Sequence, residues 1–331
     1  MPCSSTVPNQ IKLFAALGLI VFLHSSWGFF GHRRINRMAV FTLPPEMISF
    51  YKKNIEFITA HSVDPDKRRY ASEVEAPRHY IDIDHYSKDG QNPFELMPRR
   101  WLDAVEKYSE DTLIAYGIVP WHIASMTIWL TSSFEKGNAN DVLRLSAEIG
   151  HYIGDAHVPL HTTENYNGQL TGQRGIHGLW ESRIPELRAD DYDYLVGQAK
   201  YIDRPLDAAW NAVEESHSFV DSVLFLEKLV SQQTPTDQKY AFEQRGASTV
   251  KQYSQGFALA YDRSMKKMVE LRMRKAITMV GSIWYTAWIN AGQPNLELLG
   301  EKVDLETIAE ENKKTEEAFS KGKIKGREHD H

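Results

Sequence analysis

From residue 44 onward, apolar positions recur at three- and four-residue spacing through most of the chain, the period that turns one face of an α-helix toward a core. Pro44-Pro45 opens one such stretch, running to about Ala60; a proline is tolerated at a helix start, where its missing N–H has no partner to lose. Further stretches run from Arg99 to Gly117, Pro120 to Phe134, Asp141 to His161, Gly178 to Leu187, Leu206 to Gln232 and Ala247 to Ala291. In the last, Met265, Met268, Met273, Ile277, Val280, Trp284 and Trp288 keep helical spacing and read as a core face. No alternating β-rich run and no internal repeat stands out. The pattern predicts an all-α fold, a single multi-helix domain over residues 27–297. Beyond Gly292 charge takes over, and residues 298–331 are expected as a charged, disordered tail. His329 and His331 belong to that tail, with no role expected of them.

The N-terminus breaks the helical pattern in a different way. Lys12 is the only charged side chain before an eleven-residue apolar run, Leu13 to Leu23, which is followed by His24-Ser25-Ser26 and Trp27. This is the layout of a secretory signal over residues 1–26, cut before Trp27. The run is too short to span a bilayer, and no later stretch reaches the roughly 18 apolar residues a membrane helix needs. A secreted or periplasmic protein without an integral span is expected.

Composition narrows the class. At 331 residues, 42% hydrophobic and 25% charged, the chain can bury a full core, which excludes disordered and collagen-like classes. Its one cysteine, Cys3, falls inside the signal, so the mature chain has neither disulfides nor thiolate ligands. No Asn-x-Ser/Thr sequon occurs, which suits a bacterial exported protein. Without Lys12, 37 of the 38 basic side chains remain against 44 acidic ones, a net charge of −7. Long-range attraction to polyanions is not favoured, although local cations or bound metals reverse the field where a phosphate docks.

The thirteen histidines carry the candidate chemistry. His151-Tyr-Ile-Gly-Asp155 and His177-Gly-Leu-Trp-Glu181 each set an imidazole and a carboxylate at i, i+4, on one face of a helix. One such pair alone reads as a surface ion pair. Two of them bracketing His161 within 31 residues point to a metal site built from imidazoles and carboxylates. Upstream stand Ser62-Val-Asp64-Pro-Asp-Lys67-Arg68-Arg69 and Arg78-His79-Tyr80-Ile-Asp82, and the expected mature terminus reads Trp27-Gly-Phe-Phe-Gly-His32. His157, two residues past Asp155, falls off the ligand face; His85, His61, His122 and His217 are taken as structural.

With these motifs the chain resembles the zinc-dependent phospholipase C family, whose superfamily includes the fungal and plant single-strand-specific nucleases. The resemblance implies a helical bundle around a cleft with three Zn2+ ions. Carried over residue by residue, it implies that Trp27 gives its α-amine and carbonyl to one zinc, joined by His32 and Asp155. Asp64, His79, His151 and Asp155 would hold a second, making Asp155 a bridge, and His161, His177 and Glu181 the third. The resemblance also implies that Asp64 orients or deprotonates the attacking water, that Lys67 supplies a cation to the phosphoryl oxygens, and that Tyr80 stacks on a base or headgroup.

The chemistry suits a phosphodiester, whose charge repels hydroxide and whose alkoxide leaves poorly. Paired zinc ions roughly 3.5–4 Å apart answer both difficulties by acidifying water and clamping the attacking and leaving oxygens. Glu181 and the short 161–177 loop resemble the phospholipase branch, so phospholipase C activity on phospholipids is the leading expectation. The alternative is a single-strand-specific nuclease acting on nucleic acid, favoured by Tyr80 and Lys67 and disfavoured by the net charge. A third reading is a non-catalytic zinc-binding envelope protein.

Overall fold

A computed structural model describes residues 29–88, 90–245, 248–322 and 324–325. The expected signal, Trp27, His329 and His331 lie outside the described residues.

The chain begins as Phe29–Ala39 (α1), then turns through Pro45–Lys53 (α2), Ile55–Ala60 (α3) and Asp64–Arg68 (α4). A 3-10 turn at Ala76–His79 leads by way of Pro93–Leu96 (α5) to Trp101–Tyr108 (α6) and Glu110–Tyr116 (α7). Two long helices follow, Val119–Lys136 (α8) and Ala139–Ala156 (α9). Their junction is sharp for a local reason: Gly137 takes a left-handed conformation, φ +65°, and the Asn138 side chain accepts the Asp141 N–H to start the next helix. A second 3-10 turn, Pro159–Thr162, precedes Ile176–Gly178 (α10), a π-helical turn Leu179–Arg183, and Ile184–Arg188 (α11). Pro205–His217 (α12), Val220–Gln233 (α13) and Thr236–Lys239 (α14) come next, and then Gln255–Ser264 (α15), Met268–Asn290 (α16), Leu296–Gly300 (α17) and Leu305–Ser320 (α18).

The all-α expectation holds with one exception, a hairpin between α14 and α15. Tyr240–Arg245 (β1) pairs antiparallel with Ser248–Tyr253 (β2), Tyr240 opposite Tyr253. The expected helix from Ala247 therefore starts only at Gln255. The hairpin escapes the apolar pattern because it stands off the core: Phe242 is exposed, and Tyr253 is its buried anchor.

The core gathers around α16. Every member of the predicted stripe from Met265 to Trp288 is buried. Trp284 stacks on Tyr51 of α2 at 4.8 Å and donates its indole N–H to the Ser146 carbonyl of α9. The Tyr51 hydroxyl lies 2.9 Å from Ser146 Oγ, so α2, α9 and α16 share one polar tie inside the apolar interior. No single described helix is long and apolar enough to cross a membrane.

Within the expected disordered tail of residues 298–331, Leu305–Ser320 form the helix α18. Asp304 caps it by accepting the Glu306 and Thr307 N–H groups, and Ile308 is buried. Phe319 meets Tyr70 edge-on at 5.0 Å and lies 6.0 Å from Phe29. A few apolar contacts and a row of polar ones thus dock a helix that is otherwise charged.

Candidate metal centre

Asp155 sits at the middle of the site. Helix α9 carries it one turn beyond His151, as the i, i+4 spacing requires, and α1 packs across that face. The close approach depends on glycine. A Cβ at Gly154 would come within 2.8 Å of His32 Nδ1, and one at Gly150 would overlap Asn36 Oδ1. Asn36 also donates to the Ala147 carbonyl at 2.8 Å and the Ile58 carbonyl at 3.3 Å, tying α1 to α9 and α3.

The two oxygens of Asp155 face different imidazoles. Oδ1 lies 3.4 Å from His32 Nε2 and 3.8 Å from His161 Nε2; Oδ2 lies 3.0 Å from His79 Nδ1 and 3.4 Å from His151 Nε2. Glu181 makes the second hub, 3.2 Å from His32, 3.3 Å from His161 and 2.7 Å from His177. His177 belongs to α10 and Glu181 to the π-helical turn, a wider winding that often marks functional positions. All these side chains are buried.

The far nitrogens are held separately. His151 Nδ1 donates to the Ser62 carbonyl at 2.9 Å, His161 Nδ1 to the His79 carbonyl at 2.7 Å, and His177 Nδ1 to the Tyr166 carbonyl at 3.2 Å. Those bonds fix the tautomer and leave Nε2 of each ring as a lone pair aimed at the cluster. His79 is braced on its other side by Glu75, whose Oε1 lies 3.6 Å from Nε2. Glu75 is buried and bound by Arg68, Arg78 and the Tyr152 hydroxyl. Burial alone would raise its pKa, but His79, Arg68 and Arg78 hold it far below the usual carboxylate range.

Electrostatics follow from this packing. Burial lowers the pKa of His79 to about 3 and of His161 to about 4, so both rings are neutral at ordinary pH. Burial and the Glu181 and Asp66 carboxylates push Asp155 well above its ordinary value. Glu181 goes the other way: burial opposes ionisation, but His161, His177 and His32 bring its pKa well down.

The donor set fits metal ions. Four overlapping groups each bring three ligand atoms within 4.8 Å of one another: His32, Asp66 and His151; His79, His151 and Asp155; His161, His177 and Glu181; His32, Asp155 and Glu181. The free Nε2 of His151 lies 3.1 Å from His79 Nδ1, an arrangement that a shared cation satisfies. Tetrahedral zinc with bonds near 2.0–2.1 Å places its ligands about 3.3 Å apart, close to these spacings.

Some expected residues stand elsewhere. Asp64, expected as a ligand and base, turns to His61 at 2.6 Å, to Lys67 at 3.3 Å and to Asn312 of α18 at 3.2 Å. The carboxylate that reaches the cluster from α4 is Asp66, 3.6 Å from His151 Nε2 and 3.8 Å from His79 Nδ1, with buried Arg69 3.7 Å away. Asp64 with Lys67 and Asp66 with Arg69 are the same i, i+3 pattern, so the sequence carries no signal that separates the two carboxylates. Lys67 does not face the cluster as a free cation, because Glu316 takes its amine at 2.5 Å. Tyr80 is 5% exposed and its hydroxyl donates to the Ala115 carbonyl, so it offers no open stacking face. His157 donates to the Ile153 carbonyl and His85 stacks on Tyr116, both structural.

Nuclease S1 of Aspergillus oryzae (strain ATCC 42149 / RIB 40) is 22% identical over 209 residues, which cover 58% of this chain and 66% of that protein, just under two thirds of its length. The family description of the S1/P1 nucleases matches residues 27–278, a span that contains every clustered imidazole and carboxylate. The chain belongs to the S1/P1 nuclease family.

Proposed function

We propose that this chain is an exported zinc-dependent phosphodiesterase acting on single-stranded nucleic acid. The observation that carries this reading is the sharing of Asp155 among His32, His79, His151 and His161, which suits a carboxylate bridging two cations. In this reading Asp66 replaces Asp64: Asp66, His79, His151 and Asp155 hold one zinc, and His161, His177 and Glu181 a second. His32 and the other Asp155 oxygen hold a third, together with the backbone of Trp27.

Bound zinc supplies Lewis acidity, which makes water a competent nucleophile near neutral pH and draws charge from phosphoryl oxygens. The protein's own part is preorganisation. The Ser62, His79 and Tyr166 carbonyls lock the rings, so little reorganisation accompanies the reaction. Arg69 beside Asp66 and the Glu75 network beside His79 keep the ligands aimed. The phospholipase expectation rested on Glu181 and the short loop; the family match and the nuclease relative support nucleic acid instead.

Protein beginning at Trp27, supplied with zinc, is incubated with a single-stranded oligonucleotide and phosphatidylcholine micelles together, and phosphorus NMR follows the products. Nucleotide monoesters are expected; a phosphocholine signal alone would return the chain to the lipase branch. Asp155→Asn is expected to abolish turnover and lower zinc content together, and normal turnover in that variant sinks the scheme.

A further inference from the structure

A cavity of about 650 Å³ is lined in part by Leu179 and Arg183 of the π-helical turn and by none of the clustered imidazoles and carboxylates. Its walls are Gly178 and Leu179, Arg174 and Gly175, and the hairpin residues Tyr240 and Val250–Tyr253. The volume falls in the range of about 300–1,000 Å³ that holds small organic ligands. Gly178 directly follows His177 at the end of α10, and Glu181 lies three residues further on, in the π-helical turn. One wall of the cavity is thus the segment that carries two of the clustered ligands.

Three features of the lining point to a nucleotide. First, it is cationic in a protein with a net charge of −6. Arg183 is neutralised by Glu243 at 2.5 Å, but Arg174 and Lys251 are exposed and have no acidic partner among the described residues. Second, it is aromatic: the Lys251 amine lies 4.3 Å from the centroid of the Tyr240 ring, and Tyr240 in turn lies 5.0 Å from Tyr253. Cations beside an aromatic face are how proteins hold single strands, phosphate by charge and base by stacking. Third, Gln252 lines the cavity with both polar atoms of its side-chain amide buried and unpartnered. A buried amide without partners is unfavourable in the free protein, and a donor and acceptor side by side match the hydrogen-bonding edge of a base. Tyr253 fixes the geometry by donating its hydroxyl to the Arg174 carbonyl.

We propose that this cavity is a nucleotide subsite: Arg174 and Lys251 take a phosphate flanking the one cleaved, Tyr240 on one face of the hairpin stacks a base, and the unpartnered amide of Gln252 on the other face hydrogen-bonds a neighbouring nucleotide. The inference rests on the nucleic-acid reading of the metal site and adds to it a grip on the strand beyond the reacting phosphate. It also supplies the stacking face that Tyr80 does not.

The test uses zinc-loaded enzyme and two substrates, an eight-nucleotide single strand and bis(p-nitrophenyl) phosphate, which is too small to span both sites. In Arg174→Ala/Lys251→Ala the ratio of kcat/KM for the octamer to that for the small diester is expected to fall about tenfold, mainly through KM. The slope of log(kcat/KM) against log salt should become shallower by about 0.7, the counterion release of one phosphate that the variant no longer neutralises. Gln252→Ala should change the relative rates on oligo-dA, oligo-dC and oligo-dT at least threefold. An octamer that turns over in the wild type with the same KM and salt slope in the double variant overturns the subsite alone. Wild-type enzyme that cuts the small diester and leaves the octamer intact overturns the nucleic-acid reading and the subsite with it.

Discussion

Two aspartates two residues apart divide the work on α4. On a helix, positions i and i+2 point about 200° apart, so only one of Asp64 and Asp66 faces α9. The structure gives that place to Asp66, while Asp64 pairs with His61, Lys67 and Asn312. Burial would raise the pKa of Asp64, but the hydrogen bond and charge of His61, with Lys67, bring it below its ordinary value. Asp66→Asn is expected to lose a metal ion and at least about 100-fold in kcat/KM, since even partners of metal ligands commonly contribute 10–100-fold. Asp64→Asn should keep full zinc content. Metal analysis of the two variants decides between the carboxylates, and equal zinc loss in both would contradict the assignment. The choice was not legible in Ser62-Val-Asp64-Pro-Asp66, because the phase of so short a helix is set by what packs on it. His151, Asp155, His177 and Glu181 were legible because each pair sits one helical turn apart and needs no knowledge of the partner helix.

At the scale of elements, the site is a matter of how closely α1 can lie on α9. Gly154 is where a side chain would meet His32, so Gly154→Ala should displace that ring even though alanine favours the helix by about 1 kcal/mol over glycine. Expected are a Tm within a few degrees of the parent, and a kcat/KM and zinc occupancy that both fall; an unchanged occupancy would count against the packing argument. Helix α18 acts on the opposite side of α4. Besides the contacts of Asn312, Glu316 and Phe319, the Lys325 N–H donates to the Arg69 carbonyl at 2.9 Å. Truncation after Gly300 is therefore expected to speed hydrogen exchange in residues 64–70 and leave α9 and α16 as protected as before. Equal exchange in residues 64–70 would mean that α18 does not hold them. Both α18 and the hairpin were missed for one physical reason: elements that dock through polar bonds and single aromatic anchors leave no apolar period in the sequence. The stripe of α16, buried from end to end, was plain.

The molecule as a whole stores acid sensitivity in buried imidazoles outside the metal centre. Burial lowers the pKa of His122 and of His157 to about 3 each; for His157 the Arg272 charge adds to the effect, and for His122 the charge of Arg78 does. Both rings are neutral in the folded protein, whereas in the unfolded chain they protonate near pH 6.5. Between those values the unfolded state binds more protons, so stability is full above about pH 6.5 and falls as pH drops toward 3, by up to about 1.4 kcal/mol per pH unit for each group. Thermal unfolding from pH 7.5 to 4.5 is expected to show that decline, with a shallower one in His122→Asn. A slope identical in the two proteins would remove His122 from the account. Net charge and composition suggested none of this, since the shifts come from where the rings are buried.

Phe319 of α18 reaches Phe29, the first described residue of α1, so a late part of the chain rests on an early one. The order of synthesis then matters. Until residues 305–320 have been made, the surface that they cover on α4 has no protein against it. Docking of α18 closes it. A chain that stops short of α18 would keep every clustered imidazole and carboxylate and leave that surface bare.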